Sequence, residues 1–271
     1  MEVHVLEALS DNYMYLIVDG ATRAGAVVDP ADPSVVMAAA ERLNVSLTHV
    51  LTTHHHYDHA GGNEQMKQLV SGIQVVGGAR DSIKGMTMAV NDGDIFQIGG
   101  LTVRCLHTPC HTAGHMCYIL SGGDGAPCVF TGDILFVGGC GRMFEGGPGE
   151  LHESMSKLAS LPAETQVYVG HEYTVKNLQF AIDVEPDNVD VQRKIMWAQE
   201  ARGRGEFTVP STIAAELTFN PFMRTAQPAV VQYCGAPGDD VSVMRVLRNK
   251  KDKFAGSSRP WIPGGGPLPG L

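Results

Sequence analysis

Short apolar runs separated by turn residues fill the first 172 residues of the chain. Runs of this length that contain β-branched and aromatic residues and end at Gly, Pro, Asn or Asp are typical of strands. The pattern predicts strands at residues 3–9, 15–18, 26–29, 48–53, 74–76, 95–98, 101–106, 116–120 and 129–130. Helices are predicted between them at residues 33–43, with Asp32 as N-cap, 63–70 and 149–161. Periodicity alone leaves several mixed folds open.

Beyond Tyr173 the strand pattern fades and helical patterns replace it. Helices are predicted at residues 175–183, 188–201 and 239–251, with turns at Pro186, Pro210 and Pro221. The last residues are rich in Gly and Pro with almost no apolar periodicity, which predicts a disordered tail. Trp261 in this tail is either without a role or a docking residue. We therefore expect a first domain at 1–172, a helical domain at 173–254 and a tail at 255–271.

Composition and charge narrow the class of protein. Apolar residues make up 44% of the chain and charged residues 18%, which is typical of a soluble globular protein. No apolar run approaches the ~18 residues of a membrane span, and a net charge of −9 argues against a nucleic-acid partner. The six cysteines include no Cys-x-x-Cys pair, so we expect free thiols in a reducing compartment. No basic-then-apolar leader is visible, so we expect a cytoplasmic location, with a mitochondrial isoform as an alternative. We also expect a monomer.

A cluster of metal-ligand side chains follows an apolar run at residues 49–52, in the order Thr53-His54-His55-His56-Tyr57-Asp58-His59. Side chains two apart in an extended segment point the same way, so His54 and His56 converge while His55 turns away. Asp58 and His59 come from the following turn. A solvated loop or a tag is the alternative, but the interleaved Asp between a strand and a glycine turn favours a metal site.

Three further candidates lie at the ends of later apolar runs, where loops carry functional groups: His111, Asp133 and His171. A catalytic zinc usually takes about three protein ligands, so seven candidates suit two ions. Asp133 is the expected bridge, because a carboxylate has two oxygens whereas a neutral imidazole offers one nitrogen. These ligands favour zinc, and iron and manganese fit them too. Two ions about 3.5–4 Å apart hold a bridging hydroxide near neutral pH, so no Ser or Cys nucleophile is needed.

The His-x-His-x-Asp-His run and the order of the later ligands resemble the metallo-β-lactamase superfamily. Over residues 1–254 the chain is similar to the glyoxalase II (hydroxyacylglutathione hydrolase) family. The matching stretches are 11–15, 51–63, 108–115, 131–133, 139–141, 170–174, 209–212, 220–222 and 251–252. The resemblance implies an α+β fold: an αββα sandwich followed by a small α-helical domain. It also implies hydrolysis of S-D-lactoylglutathione and related S-2-hydroxyacylglutathiones to glutathione and a hydroxy acid such as D-lactate, in methylglyoxal detoxification.

The same resemblance implies roles for individual residues. It puts His54, His56 and His111 on one metal, and Asp58, His59 and His171 on the other, with Asp133 bridging. Asp58 and Asp133 are then catalytic through the metal-bound hydroxide. For the glutathione thioester it implies contacts from Arg142, Tyr173, Arg248 and Lys251. A solvated, dipole-complementing helix end is the alternative for the basic residues near 248. Phe144 stands where many family members have Tyr, so one hydroxyl that could bind glutathione is missing.

Several residues keep two interpretations. Asp29, before Pro30, either orients a metal ligand or caps a turn, and His115 is expected to support the site or the fold rather than to bind metal. Cys110 beside His111 could be a nucleophile, but its place in a metal loop argues against this. A mono-iron sulfur dioxygenase on the same fold is a rival activity. A regulatory relative with weak or no hydrolysis is a rival of another class.

Overall fold

Two β-sheets form the centre of the first 172 residues in this computed structural model, which describes residues 1–123, 125–236 and 238–256. The first sheet has the order β1-β2-β3-β4-β5-β6. Its strands are β1 Glu2–Ala8, β2 Asn12–Val18, β3 Ala24–Val28, β4 Ser46–Leu51, β5 Gln74–Gly78 and β6 Met88–Val90. Strands β1 to β3 pair antiparallel, and β3 to β6 pair parallel. Every residue of β2, which lies between β1 and β3, is buried.

The second sheet has the order β14-β13-β10-β9-β8-β7. Its strands are β7 Ile95–Ile98, β8 Leu101–His107, β9 Met116–Ser121, β10 Cys128–Phe130, β13 Gln166–Tyr168 and β14 Ser211–Thr212. Between β10 and β13 lies a short hairpin of β11 Leu135–Phe136 and β12 Gly139–Cys140. Strand β10 runs parallel to β13, so their carboxyl ends lie side by side. That edge carries part of the candidate site.

Helices cover the sheets and form most of the last third of the described chain. They are α1 Pro33–Arg42, α2 Tyr57–Ala60, α3 Asn63–Leu69, α4 Pro148–Ala159, α5 Thr174–Val184, α6 Val189–Gly203, α7 Ile213–Phe219, α8 Pro228–Cys234 and α9 Asp240–Lys253, with a 3₁₀ turn at Pro221–Met223. Asp32 caps α1 as predicted, accepting from the amides of Ser34 and Val35. The short helices α2, α7 and α8 were not predicted, because four to seven residues give too weak a periodic signal.

The core lies between the two sheets. Tyr15 and Leu51 from the first sheet share one buried cluster with Tyr118 and Phe130 from the second. The other face of the first sheet packs on α1 and α3 in a separate cluster that includes Val36. Residues of α4 and of the later helices extend the inter-sheet core. The predicted α+β fold, an αββα sandwich with helices after it, is therefore confirmed.

Two further observations concern expectations from composition. Within the described ranges, no helix combines the length and apolar character that crossing a bilayer requires. The cysteines are all buried and unpaired in that same part of the chain, as predicted. The predicted tail, including Trp261, lies outside the described residues except for Ala255 and Gly256.

Candidate metal centre

Four chain segments bring the predicted ligands to one edge of the sandwich. His54 and His56 follow β4, and the short helix α2 supplies Asp58 and His59. The loop between β8 and β9 carries His111. The segments after the parallel pair β10 and β13 carry Asp133 and His171, which is why these two meet despite their separation in sequence.

The side chains of these seven residues form three overlapping groups in which the ligand atoms lie within 4.8 Å of one another. The groups are His54, His56 and His111; His54, His59 and Asp133; and Asp58, His59 and His171. His56 Nδ1 lies 3.0 Å from His54 Nε2 and 3.1 Å from His111 Nε2. His59 Nε2 lies 3.2 Å from His171 Nε2. Asp133 lies between the two outer groups.

The donor set fits divalent metal ions. Asp133 Oδ1 is buried and has no hydrogen-bond partner among the described residues. The two carboxylate oxygens lie 3.4 Å from ring nitrogens of His59, His111 and His171. Buried polar atoms normally find a partner, so an orphaned carboxylate oxygen among convergent imidazole nitrogens points to a cation.

Burial and charge divide the histidines into two classes. Burial holds the pKa of His54 and His111 below the ordinary value, so both imidazoles are neutral and able to bind a metal. Burial also acts against the charged form of His171, but hydrogen bonds with Asp133 and Asp58 outweigh it and raise the pKa to about 10. The pKa of His59 is raised in the same way, mainly by the charge of Asp133 against the effect of burial. A metal ion that binds there would therefore displace protons.

The neighbours of these side chains fix their orientation. Asp29 accepts a hydrogen bond from His59 Nδ1 at 2.9 Å, which resolves the question left open by the sequence in favour of orientation. Asp11 accepts from His171 Nδ1 at 2.9 Å. His115 Nε2 accepts from the backbone amide of Asp133 at 3.3 Å, so it supports the site as expected.

Asn12 is a supporting residue that the sequence did not reveal. Its Nδ2 donates to the backbone carbonyl of Asp58 at 3.1 Å and to Asp58 Oδ2 at 3.0 Å. The stretch at residues 11–15 was part of the family resemblance, but nothing in its pattern indicated that it contacts residues 46 positions later.

Two residues beside the ligands lie apart from the cluster. The ring of His55 hydrogen-bonds to Asp81 and lies 3.5 Å from Glu145 Oε1. Its centroid lies 5.0 Å from that of His56, but its nitrogens belong to none of the three ligand groups. Burial raises the pKa of the Cys110 thiol to about 12, which leaves it protonated near neutral pH. Neither residue is placed for the chemistry of the cluster.

Three of the predicted substrate residues border the cluster. Phe144 is 54% exposed, and its ring centroid lies 5.7 Å from that of His56 and 5.2 Å from that of His111. The Arg142 guanidinium lies 5.1 Å from the centre of the Phe144 ring. Tyr173 stacks on His171 with ring centroids 4.7 Å apart.

The two predicted cations of α9 differ from each other in the structure. We expected Arg248 and Lys251 to present their charges together, but Arg248 is buried and donates from Nη1 to the Cys140 carbonyl at 2.8 Å and from Nη2 to Asp252. Only its Nε lacks a partner within the described chain. Lys251 borders a cleft of about 820 Å³, and burial lowers its pKa to about 8.

Comparisons with known proteins agree with this geometry. The family model described as "Metallo-beta-lactamase superfamily" matches residues 10–171, and "Hydroxyacylglutathione hydrolase C-terminus" matches residues 172–254. The chain is 50% identical to the cytoplasmic hydroxyacylglutathione hydrolase of Arabidopsis thaliana, over 94% of this chain and 100% of the plant protein. It is 44% identical to a hydroxyacylglutathione hydrolase-like protein of Gallus gallus, over 94% and 90% of the two chains. The crystal structure of ETHE1 from Myxococcus xanthus superposes with a TM-score of 0.65 at 29% identity, over 92% and 91% of the two chains.

Proposed function

The chain belongs to the hydroxyacylglutathione hydrolase family of the metallo-β-lactamase superfamily, and we propose that it hydrolyses S-D-lactoylglutathione and related S-2-hydroxyacylglutathiones with two divalent metal ions. It is a thioester hydrolase, and the products are glutathione and the free hydroxy acid. The observation that carries the binuclear site is the buried, unpartnered oxygen of Asp133 between two groups of ligands.

We assign His54, His56 and His111 to one ion, Asp58, His59 and His171 to the other, and Asp133 to both. The outer two of the three overlapping groups support this division. Asp29 and Asp11 hold His59 and His171 by their Nδ1 atoms, which leaves each Nε2 facing the cluster. These contacts fix the imidazoles before any ion binds.

Two divalent ions held by these residues would lower the pKa of a bound water molecule towards neutrality and would polarise the acyl oxygen of the substrate. The residues of the chain supply the remaining functions. The seven converging side chains would hold the ions, and the thiolate of glutathione is a good leaving group, so cleavage needs no cysteine or serine nucleophile. Zinc is the proposed metal because His and Asp ligands suit it, and the same set accepts iron or manganese.

An anionic substrate needs local positive charge on a chain whose net charge is −9. Arg142, exposed beside Phe144, and Lys251 are the proposed cations, and Tyr173 the proposed hydrogen-bond donor. Arg248 is proposed to contribute through the hairpin that it holds, because its side chain is buried. Lys176 and Arg202 border the same cleft as Lys251, and the carboxylates of Glu7, Asp11 and Glu172 border it too.

The remaining proposals concern the domain boundary, the cellular location and the oligomeric state. The division at residues 172 and 173 is supported by the change from strands to helices and by the limits of the two family matches. A cytoplasmic location is supported by the name of the plant relative. We propose a monomer without a membrane partner, and the net charge of −9 argues against a nucleic-acid partner.

The test is an assay of metal-analysed protein with S-D-lactoylglutathione, with a thioester that lacks the glutathione portion as the control substrate. The proposal expects rapid loss of the glutathione thioester, little loss of the control, and no oxygen consumption with a sulfur substrate. Oxygen consumption with one bound iron would establish the dioxygenase instead. A protein that binds two ions and cleaves neither thioester would support the regulatory role.

A further inference from the structure

The hairpin β11–β12 joins two parts of the metal centre. It begins two residues after Asp133 and leads through Gly141 to Arg142, whose backbone carbonyl accepts a hydrogen bond from His111 Nδ1 at 3.1 Å. Gly141 is so close to the start of the hairpin that a Cβ atom there would lie 1.8 Å from the Asp133 carbonyl oxygen. A shift of the hairpin therefore moves Asp133 and the partner of His111 together.

The hairpin itself is too short to fix its own position. Each strand has two residues, and the register contains two pairs, Leu135 with Cys140 and Phe136 with Gly139. A hairpin of this size is not stable without further contacts. Its stability must therefore come from groups outside it.

Side chains from the later helices satisfy the backbone of the hairpin. Asn220 Nδ2 donates to the carbonyls of Phe136 at 3.2 Å and Gly139 at 3.0 Å. Glu216 Oε2 accepts from the amide of Gly138 at 2.9 Å. Two further donors complete the set: Asn177 to Val137 and Arg248 to Cys140.

Glu216 and Asn220 act as one unit. They lie one helical turn apart, at α7 and just after it, and Asn220 Nδ2 lies 2.9 Å from Glu216 Oε2, so its two N–H groups are shared among this carboxylate and the two hairpin carbonyls. Glu216 Oε1 accepts from the hydroxyl of Ser211. Both side chains are fully buried, and burial raises the pKa of Glu216. A buried polar network in which every member is paired fixes a single geometry, because any displacement leaves an unpaired group.

We propose that Glu216 and Asn220 are positioning residues for the metal centre, which hold the hairpin so that the Asp133 carboxylate and the Arg142 carbonyl stay aligned with His111. This inference rests on the proposed metal site and extends it. It gives the helical region a role in metal binding in addition to its role in substrate binding. The stretches 209–212 and 220–222, which carried part of the family resemblance without a function, thereby gain one.

The test compares Asn220→Ala and Glu216→Ala with Glu216→Gln. A glutamine can keep its oxygen for Gly138 and Asn220 and turn its amide towards Ser211, whose hydroxyl then accepts. Asn188→Ala is the matched control, because Asn188 caps α6 and donates to the Thr218 carbonyl instead of to the hairpin. The measurement is competition for metal with a chromophoric chelator, on protein whose folding is confirmed by circular dichroism.

Both alanine variants should bind metal roughly tenfold more weakly, which is the lower end of the effect of losing an outer partner of a metal ligand. Glu216→Gln should restore most of the affinity, and Asn188→Ala should lower the melting temperature without changing metal affinity. Where an alanine variant does not fold, Asn220→Ser replaces it, since a serine hydroxyl cannot reach both carbonyls. Wild-type metal affinity in folded Asn220→Ala or Asn220→Ser, or equal damage from Glu216→Gln and Glu216→Ala, would overturn the inference. Failure of wild-type protein to bind two ions would contradict the proposed function instead.

Discussion

Asp29 hydrogen-bonds to His59 and also to the segment that follows β4. The carboxylate accepts from His59 Nδ1 at 2.9 Å and from both the amide and the hydroxyl of Thr53 at 2.7 Å. Asp29 and His59 are almost fully buried. The end of β3 and the ligand loop after β4 are thereby locked together, with His59 Nε2 directed at Asp133.

Asp29→Ala should weaken metal binding by roughly 10- to 100-fold, because it frees the ring of His59. It should also destabilise the fold by about 1–3 kcal/mol, because the buried Thr53 amide loses its partner. Chelator competition and thermal unfolding measure the two effects. Glu7→Ala, on the exposed side of β1, is the control and should change neither. Unchanged metal affinity in Asp29→Ala would show that metal binding by His59 does not depend on its hydrogen bond to Asp29.

The sequence predicted the proposed metal ligands but not the partner of Asp29. Alternation in an extended segment separated His54 and His56 from His55, and each later ligand lay at the end of an apolar run. The partner of Asp29 depends instead on the parallel pairing of β3 with β4, which places residues 30 apart in contact. The contacts of Asn220 with carbonyls more than 80 residues away leave no pattern in sequence at all.

The burial of Arg248 is a second feature that the sequence did not predict. Helical spacing predicted that it shares a face with Lys251, but spacing does not reveal which side chain the hairpin at residues 135–140 will cover. Arg248 is buried against that hairpin, whereas Lys251 borders the cleft.

The lowered pKa of Lys251 predicts that substrate binding depends on pH. Burial lowers its pKa to about 8, so the side chain loses its positive charge as pH rises through that value. KM for glutathione thioesters should therefore rise above about pH 8, and Lys251→Arg, which stays charged, should remove the rise. Steady-state kinetics measured from about 1.5 pH units below this pKa to about 1.5 units above it test the prediction. A KM profile identical in both proteins would contradict carboxylate binding by Lys251.

Arg248→Ala should lower kcat as well as raise KM, because the guanidinium holds the Cys140 carbonyl in the hairpin next to the metal centre. It should also lower the melting temperature, since Cys140 and Asp252 lose a buried partner. Lys250→Ala is the matched control on the same helix, because its Nζ contacts the Tyr233 carbonyl on the surface. Equal effects of the two substitutions would mean that only bulk positive charge matters.

Phe144→Tyr should lower KM for glutathione thioesters with little change in kcat. The added hydroxyl restores one neutral hydrogen bond worth about 0.5–1.5 kcal/mol, or roughly a threefold to tenfold gain in affinity. The ring is exposed beside Arg142, so a hydroxyl can be accommodated. An unchanged KM, together with loss of binding in Arg142→Ala, would show that Arg142 has taken over this contact.

The most direct measurement of the central claim is a titration of metal-free protein with zinc, followed by hydrolysis of S-D-lactoylglutathione and by elemental analysis of the bound metal. The two-ion account predicts that activity reaches its maximum near two equivalents. Asp133→Ala should lose both metal and turnover, and His55→Ala should keep its metal, because that ring faces Asp81 and Glu145. Full activity at one equivalent, or in Asp133→Ala, would contradict the account.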